Sequence, residues 1–320
     1  MQKIVYIVGP TASGKTDLAL EIAKKYSGEL VSADSVQVYK GLDIISGKDI
    51  PEGYSFVPLP QFSKEEIYAG YFSNSSLPPI YLLDLVEPRF SFTVTHYQDL
   101  ASKIVDFIAQ KDKLPIVVGG TGLYVNSLIH RLDVVPEPNY ELRKKLTGLT
   151  VTELQEALNN LDNKKLNSMN QSDRSNPRRL IRAIEVISNS HHIQPTTYNP
   201  STESLAIGLM CDREILKSRI DLRVAKRFEQ GAIEEVKKLF EDYDNLSPQV
   251  KDANGYKQLF SYLRNEVDLE EAIYRWKISE YRHAKNQMTW FKKYGNVVWF
   301  DIQDKDYKVD IEKEIDEFLR

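Results

Sequence analysis

A glycine-rich octapeptide near the N-terminus has the residue types and the spacing of a phosphate-binding loop. Residues 9–16 read GPTASGKT, which matches G-x-x-x-x-G-K-[ST] between a predicted strand and a predicted helix. The two glycines permit a tight path that turns backbone N–H groups inward, and the helix N-terminus favours an anion. Lys15 adds a positive charge, and the Thr16 hydroxyl is suited to a phosphate-bound Mg²⁺. The residues predicted to hold the phosphate groups are Gly9, Thr11, Ala12, Ser13, Gly14, Lys15 and Thr16.

The loop alone does not specify the reaction, and a carboxylate at the predicted end of the second strand is the next candidate catalytic group. A kinase, a hydrolase and a prenyltransferase all have to neutralise a polyphosphate. Asp34 lies in the stretch LVSADSVQVY, residues 30–39, and ligands of open α/β sheets bind beyond the carboxyl ends of the strands. It can therefore act as a general base, a magnesium ligand or a helix cap. Ser35 and Gln37 add hydrogen-bonding groups of the kind that read the edge of a base.

Arginine and lysine residues cluster at helical spacing in three segments. In the first, Asn176-Pro177 is a typical helix start, and three arginines follow within about one turn. Such a face contacts a phosphate backbone, or it is simply solvated with an Arg182–Glu185 ion pair. The second segment also resembles the lid of a nucleotide kinase, and the third decorates the last long helix. The basic residues are Arg178, Arg179 and Arg182; Arg219, Arg223, Lys226 and Arg227; and Arg275, Lys277, Arg282, Lys285, Lys292 and Lys293.

Short apolar runs alternate with helical patterns along the chain and indicate the scaffold that positions these residues. Strands alternating with helices are typical of a mostly parallel sheet covered on both faces. We therefore predict an α/β fold, a P-loop parallel sheet with flanking helices and an inserted, smaller all-helical domain. The predicted strands are residues 3–9, 29–33, 80–86, 115–118, 205–210 and 297–300. The predicted helices include residues 16–26, 97–110, 122–130, 213–231 and 269–294.

Two stretches interrupt the alternation of strands and helices. Residues 51–79 are rich in Pro, Ser, Gly and aromatics, which predicts a long excursion from the sheet. Residues 136–197 are polar, Asn-rich and helical in pattern, and VVPEPN and QPTTYNP bound them. The predicted division is a first part of the P-loop core (1–133), a helical insertion (134–200), and the completion of the core with basic helices (201–320).

Composition indicates an ordinary soluble protein. Hydrophobic residues make up 42% of the chain and charged residues 28%, and the net charge is −4, so a polyanion partner would require local clusters of Lys and Arg. Cys211 is the only cysteine, which excludes an internal disulfide and fits a reducing compartment. The sequence shows neither a signal peptide nor an apolar run of roughly 18 residues. We expect a monomeric cytoplasmic protein that does not bind membranes.

Several motifs together give the chain a specific family resemblance. GPTASGKT followed by DSVQVYKGLDI resembles the tRNA dimethylallyltransferases, also called tRNA isopentenyltransferases. The similarity covers nearly the whole chain in order. Its other parts are Val118–Tyr124 (VGGTGLY), Asn176–Val186 (NPRRLIRAIEV), Arg213–Gly231, Gly255-Tyr256, and Lys285, Gln287, Thr289 and Trp290.

The resemblance implies a mechanism in which two substrates meet at the loop. The donor is dimethylallyl diphosphate, whose pyrophosphate lies in the loop with Mg²⁺, and the acceptor is N6 of the adenine on the 3′ side of the anticodon. That adenine leaves the stacked anticodon loop to enter the protein. Asp34 corresponds to the general base, Arg223 to the arginine that stabilises the departing pyrophosphate, and Thr121 to a position near the reacting base.

The resemblance also implies a partner, the anticodon stem-loop of tRNA. Its binding is expected to weaken steeply with salt if several phosphates are contacted. The residues predicted to contact tRNA are Ser35, Gln37, Arg143, Arg178, Arg179, Arg182, Tyr256, Lys285, Gln287, Trp290 and Lys292.

The sequence departs from the family pattern at four places. The segment 51–79 is longer than in typical members, and Asn254 precedes Gly255 where an aliphatic residue is usual. Asn286 interrupts the usual Lys-Arg-Gln triplet. Ser46-Gly47-Lys48 stands in place of a common Gly-Thr-Ala-Lys pattern.

Three other functions remain compatible with the loop. An adenylate isopentenyltransferase would share the loop and Asp34 but would use free AMP, ADP or ATP, and the Arg178 and Lys285 segments favour tRNA instead. A P-loop kinase of nucleosides or small metabolites would consume ATP. A non-catalytic nucleotide-binding switch would not need Asp34.

Overall fold

The computed structural model describes residues 2–130, 132, 139–189, 202–293 and 296–320. The chain divides into two compact units, which are described separately. The first unit joins Met1–His130 to Asn199–Arg320, and the second is Arg131–Tyr198. No helix in the described ranges combines the length and the apolar character needed to span a bilayer.

The first unit is built on one eight-stranded sheet with the strand order β3-β4-β5-β2-β6-β1-β7-β8. The strands from β5 to β8 in this order pair in parallel, and β3 and β4 add an antiparallel edge. This arrangement confirms the predicted α/β P-loop class. The strands are β1 (Gln2–Val8), β2 (Gly28–Ser32), β3 (Ser55–Pro58), β4 (Gly70–Ser73), β5 (Ile80–Tyr81), β6 (Leu114–Gly119), β7 (Thr202–Met210) and β8 (Val297–Asp301).

Helices cover both faces of this sheet, and short 3₁₀ helices lie at Pro60–Phe62 and Tyr243–Asn245. Side chains of β1 alternate between two cores, because successive residues of a strand point to opposite faces. Ile4, Tyr6 and Val8 join the larger core, while Val5 and Ile7 join the smaller one. The α-helices of the first unit are α1 (Lys15–Lys25), α2 (Val94–Ala109), α3 (Gly122–His130), α9 (Arg213–Glu229), α10 (Ala232–Phe240), α11 (Pro248–Lys251), α12 (Tyr256–Leu263), α13 (Leu269–Lys293) and α14 (Tyr307–Leu319).

The prediction that residues 51–79 leave the sheet was wrong. This segment supplies β3 and β4, and Phe56 packs edge-to-face against Phe72 across them at 5.3 Å. The strands are too short to show a periodic pattern, and Pro58 is tolerated because it lies on an edge strand. The predicted strand 80–86 is also too long: it ends at Tyr81, because Leu82 and Asp84 have φ angles of 66° and 54°, outside the range of strands.

Every secondary-structure element described in the second unit is a helix, as the polar and periodic sequence predicts. Leucines at helical spacing bury one small core of Leu146, Leu154, Leu158, Leu180, Ala183 and Ile184. Asn176 caps the helix that begins at Pro177 by accepting hydrogen bonds from the N–H groups of Arg178 and Arg179. The flanking motifs VVPEPN and QPTTYNP lie almost wholly outside the described residues. The helices are α4 (Tyr140–Leu146), α5 (Val151–Leu161), α6 (Asn163–Ser168), α7 (Gln171–Arg174) and α8 (Pro177–Ser188).

Candidate functional site

The candidate site lies where adjacent parallel strands end. β2, β6, β1 and β7 are neighbours, so the loops after their carboxyl ends meet at one edge of the sheet. The phosphate loop follows β1, the Asp34 segment follows β2, and Thr121 follows β6. Helix α9, which carries Arg223, follows β7. The sheet order thus brings together residues that are up to about two-thirds of the chain apart.

The phosphate loop has the backbone geometry of an anion site. Gly9 has a φ of 145°, and a Cβ there would lie 2.6 Å from the backbone oxygen of Leu209, so only glycine fits. Gly14, with a φ of 88°, precedes the first residue of α1, whose N-terminus faces the loop. The Ser13 hydroxyl is buried and has no hydrogen-bond partner among the described residues. A buried orphan hydroxyl beside a helix N-terminus fits a bound phosphate oxygen.

Lys15 is held inside this loop. Its Nζ donates a hydrogen bond of 2.6 Å to the backbone oxygen of Pro10. Burial of the ammonium group, together with the nearby Arg223, lowers the pKa of Lys15 to about 7, while Asp34 acts in the opposite direction. A bound anion would favour the charged form, so the loop is built to take up negative charge.

Arg223 and Gln287 tie the loop to the rest of the site. Arg223 Nη1 donates to Thr11 Oγ1 at 2.7 Å, and Gln287 Oε1 accepts from the Thr11 N–H at 2.8 Å. Gln287 Nε2 donates to the backbone oxygen of Gly120 at 3.0 Å. Gln287 therefore bridges the loops after β1 and β6, and it is only 7% exposed.

The two oxygens of Asp34 have different surroundings. Oδ1 accepts hydrogen bonds from the N–H groups of Val36 at 2.8 Å and Gln37 at 3.3 Å. Oδ2 has no hydrogen bond among the described residues. The carboxylate is half-buried and close enough to Lys15 and Tyr124 for its charge to favour the protonated form of each, although the pKa of Lys15 is lowered overall. One oxygen thus caps the turn, and the other remains available for proton transfer.

Thr121 fastens the Asp34 turn to the end of β6. Its N–H donates to the Ala33 oxygen at 3.1 Å, and its Oγ1 accepts from the Ser35 N–H at 3.1 Å. Its hydroxyl also lies 3.4 Å from the Ser35 hydroxyl. Gln37 uses its amide internally, donating to the Gly47 oxygen at 2.9 Å and accepting from the Ser32 hydroxyl at 3.0 Å.

Besides Gln37, two further predicted tRNA contacts have internal roles. Tyr256 is fully buried, and its hydroxyl donates to Glu235 at 2.7 Å. Gln287 is buried in the bridge between the two loops. The family resemblance includes both residues, but it does not reveal that their polar atoms form hydrogen bonds inside the protein. Trp290 lies against the start of α3, where a Cβ on Gly122 would meet its ring at 1.9 Å.

Apart from Ser35 and Gln37 in the Asp34 turn, the remaining predicted tRNA contacts lie in two places. Lys285 and Lys292 are exposed on α13, about two turns apart and therefore on one face. In the second unit, Arg178 and Arg179 are exposed on α8, and Arg179 pairs with Asp173. Glu185 is buried there and pairs with both remaining arginines. Its contacts are with Arg143 Nε at 2.7 Å and with Arg182 Nη1 at 3.2 Å.

Three residues near the site were not predicted to belong to it. Buried Glu235 accepts hydrogen bonds from the N–H groups of Asp43 and Ile44 at 2.7 Å and of Ile45 at 3.1 Å, so it shapes residues 43–45. Lys48 is buried and pairs with Asp43 at 2.6 Å and with Asp84. Arg227 is buried beside Arg223. In the sequence, Lys48 was noted only as part of the Ser46-Gly47-Lys48 departure and Arg227 only as part of a basic segment.

The residues present fit a Mg²⁺ ion that is carried mainly by the ligand. Thr16 supplies a hydroxyl at the start of α1 that makes no hydrogen bond among the described residues. No group of three His, Cys, Asp or Glu side chains with metal-binding geometry occurs in the ranges described. A Mg²⁺ ion with one protein ligand, phosphate oxygens and water is compatible with this donor set.

Comparisons with known proteins agree along the whole chain. The family model for IPP transferase matches residues 73–294, and the model for isopentenyl transferase matches residues 2–57. A tRNA dimethylallyltransferase from Acetivibrio thermocellus is 40% identical over 322 residues, covering 97% of this chain and 95% of the relative.

Solved structures give the same result. A full-length tRNA isopentenylpyrophosphate transferase from Bacillus halodurans has a TM-score of 0.68 and 34% identity, covering 100% of this chain and 97% of the other. A tRNA isopentenylpyrophosphate transferase from Staphylococcus epidermidis has a TM-score of 0.66 and 30% identity, covering 99% of each chain.

Proposed function

The chain belongs to the tRNA dimethylallyltransferase (IPP transferase) family, and from this premise we propose that it transfers a dimethylallyl group from dimethylallyl diphosphate to N6 of the adenine next to the anticodon in tRNA. The observation that carries the proposal is the proximity of a half-buried carboxylate, Asp34, to the cationic phosphate loop at Lys15. A proton acceptor and a site for a leaving diphosphate are therefore adjacent.

Asp34 acts as the general base in this proposal. As adenine N6 forms a bond to the allylic carbon, the N6 proton passes to Oδ2, while Oδ1 keeps the carboxylate in place by capping the turn. Exocyclic amines of adenine are weak nucleophiles, so a base and close approach are both needed. Thr121, through its bonds to Ser35 and Ala33, keeps this turn at the end of the sheet.

The phosphate loop and Arg223 hold the leaving diphosphate. The carbon–oxygen bond breaks as the new carbon–nitrogen bond forms, and negative charge grows on pyrophosphate. Backbone N–H groups, the Ser13 hydroxyl, Lys15 and Arg223 meet that charge. Mg²⁺, held at Thr16 and by phosphate oxygens, would supply further neutralisation of the diphosphate.

Two basic surfaces suit the tRNA acceptor. Exposed Lys285 and Lys292 on α13, and exposed Arg178 and Arg179 on α8, can contact the phosphate backbone. An enzyme that modifies free AMP would not need these faces, and the matched relatives are named for tRNA. The acceptor is therefore assigned as tRNA, with the anticodon stem-loop as the bound part.

The test is to incubate the protein with Mg²⁺, radiolabelled dimethylallyl diphosphate and either tRNA lacking the modification or AMP. We expect label in tRNA, and we expect none when the adenine beside the anticodon is replaced by guanine. Label in AMP would instead indicate an adenylate isopentenyltransferase. ATP consumption without transfer would indicate a kinase, and nucleotide binding with neither outcome would indicate a switch.

A further inference from the structure

The missing side chain at Gly47 opens a space in which two guanidinium groups meet. A Cβ at this position would lie 1.8 Å from Arg227 Nη2 and 2.4 Å from Arg223 Nη2. Both distances are far shorter than any real Cβ contact, so a larger residue would displace at least one arginine. Gly47 is therefore the residue that allows Arg223 and Arg227 to approach the same point.

Arg227 is buried with part of its hydrogen-bonding capacity unused. It is only 5% exposed, and its Nη1 donates to the backbone oxygen of Ile45. Its Nη2 is buried and has no partner among the described residues. Leaving a charged donor without an acceptor is costly in a protein interior, so this nitrogen is an unfilled contact.

One further arginine and two carboxylates act on the charge of Arg227. Burial and the neighbouring Arg223 lower the pKa of Arg227 to about 10, and the carboxylates of Glu280 and Asp49 only partly oppose this. Neither carboxylate forms an ion pair with Arg227; Glu280 accepts instead from Trp276 Nε1 at 3.3 Å. An anion at this point would relieve the repulsion between the two guanidinium groups.

Arg223 connects this point to the phosphate loop. Its Nη1 donates to Thr11 Oγ1, while its Nη2 faces the space at Gly47 that it shares with Arg227. The unfilled nitrogen of Arg227 is thus separated from the loop by a single guanidinium group. Glu235 and Gln37 hold residues 43–47 in place, so the backbone against which both guanidinium groups pack is fixed.

We propose that Arg227 is a further diphosphate-binding residue, whose Nη2 donates to the same diphosphate that the loop and Arg223 hold, and that Gly47 admits it. The proposal deepens the proposed function, on which it rests. A merely structural Arg227 would need only its bond to Ile45; the vacant Nη2 beside a second arginine is what indicates a ligand.

The first experiment measures the affinity for inorganic pyrophosphate with Mg²⁺ by titration calorimetry. We expect Arg227→Met to weaken binding about tenfold to hundredfold, the size of a lost charged hydrogen bond. Lys226→Met removes an exposed cation from the next position of α9 and is expected to bind as the wild type does. Should Arg227→Met fail to fold, Arg227→Lys keeps the charge and is expected to show an intermediate loss.

The second experiment tests the pairing with Gly47. Gly47→Ala and the control Gly41→Ala share a left-handed backbone, with φ angles of 63° and 72°, but a Cβ at Gly41 meets nothing within 4 Å. We expect Gly47→Ala to weaken pyrophosphate binding and Gly41→Ala to leave it unchanged. In an Arg227→Met background, Gly47→Ala should cause a smaller loss than in the wild type, because only the clash with Arg223 then remains.

Two outcomes would overturn the inference. If Arg227→Met folds and binds pyrophosphate as tightly as the wild type, Nη2 contacts no phosphate. If the losses of pyrophosphate affinity from Gly47→Ala and Arg227→Met are additive in the double variant, the two residues act independently. If Arg227→Met binds pyrophosphate more weakly than the wild type but the wild type transfers no label to tRNA, the proposed function is wrong and the Arg227 subsite is still supported.

Discussion

Replacing Asp34 by asparagine separates the two tasks that the structure assigns to its carboxylate. The amide side chain of Asp34→Asn would keep an oxygen in the position of Oδ1, which accepts from the N–H groups of Val36 and Gln37, but it would lose the basic oxygen. Asp34→Ala removes both. We therefore expect both variants to lose turnover and only the alanine variant to lose stability through the cap.

The magnitudes follow from these contacts. Loss of a general base lowers the transfer rate by about 10²- to 10⁴-fold. Loss of a cap costs about 1 kcal/mol of the free energy of unfolding, which corresponds to a melting temperature lower by about 2–4 °C. Asp34 lies near Lys15, so removing its negative charge is expected to leave pyrophosphate binding equal or tighter in both variants.

Three measurements on the same preparations test this reasoning. Single-turnover transfer of label to tRNA gives the chemical step, calorimetry gives pyrophosphate affinity, and thermal unfolding gives the stability. Near-wild-type turnover in Asp34→Asn would exclude Asp34 as the base. Equal losses of melting temperature in the two variants would show that Oδ1 is not the capping atom that the structure indicates.

Three further predictions concern the loop and the basic surfaces. Gln287→Leu leaves the Thr11 N–H and the Gly120 oxygen without partners, so we expect pyrophosphate affinity to fall about tenfold, with the exposed Asn286→Leu as an unaffected control. The pKa of Lys15 is lowered to about 7, so its charge should contribute fully to pyrophosphate affinity below that pH and progressively less above it. The contribution is measured as the difference in affinity between the wild type and Lys15→Met. A difference that stays constant up to about pH 9 would contradict this prediction. Arg178→Ala should reduce the salt slope of tRNA binding by about one, while Lys164→Ala, exposed in the same unit, should not; an unchanged slope would mean that Arg178 touches no phosphate.

Features encoded by neighbouring residues could be predicted from the sequence alone. The loop motif, the buried strands β1, β2 and β6, and the boundaries of α3 and α13 depend on local patterns of glycine and apolar residues, and they agree with the structure to within about two residues. The cap at Asn176 and the position of Asp34 at a strand end are equally local. Local spacing specifies backbone conformation because turns, caps and periodic faces involve residues a few positions apart.

Contacts between distant residues could be decided only by the tertiary structure. Gln287 meets Thr11 across 276 positions, and Glu235 shapes residues 43–45 from 190 positions away. Nothing in the local sequence of either residue distinguishes it from a surface side chain on a polar helix. The match between Gly47 and Arg227 is similar, since a vacant Cβ position has meaning only when the fold brings a guanidinium group against it. Packing specifies these pairs, because it determines which polar atoms lose water and must find partners inside the protein.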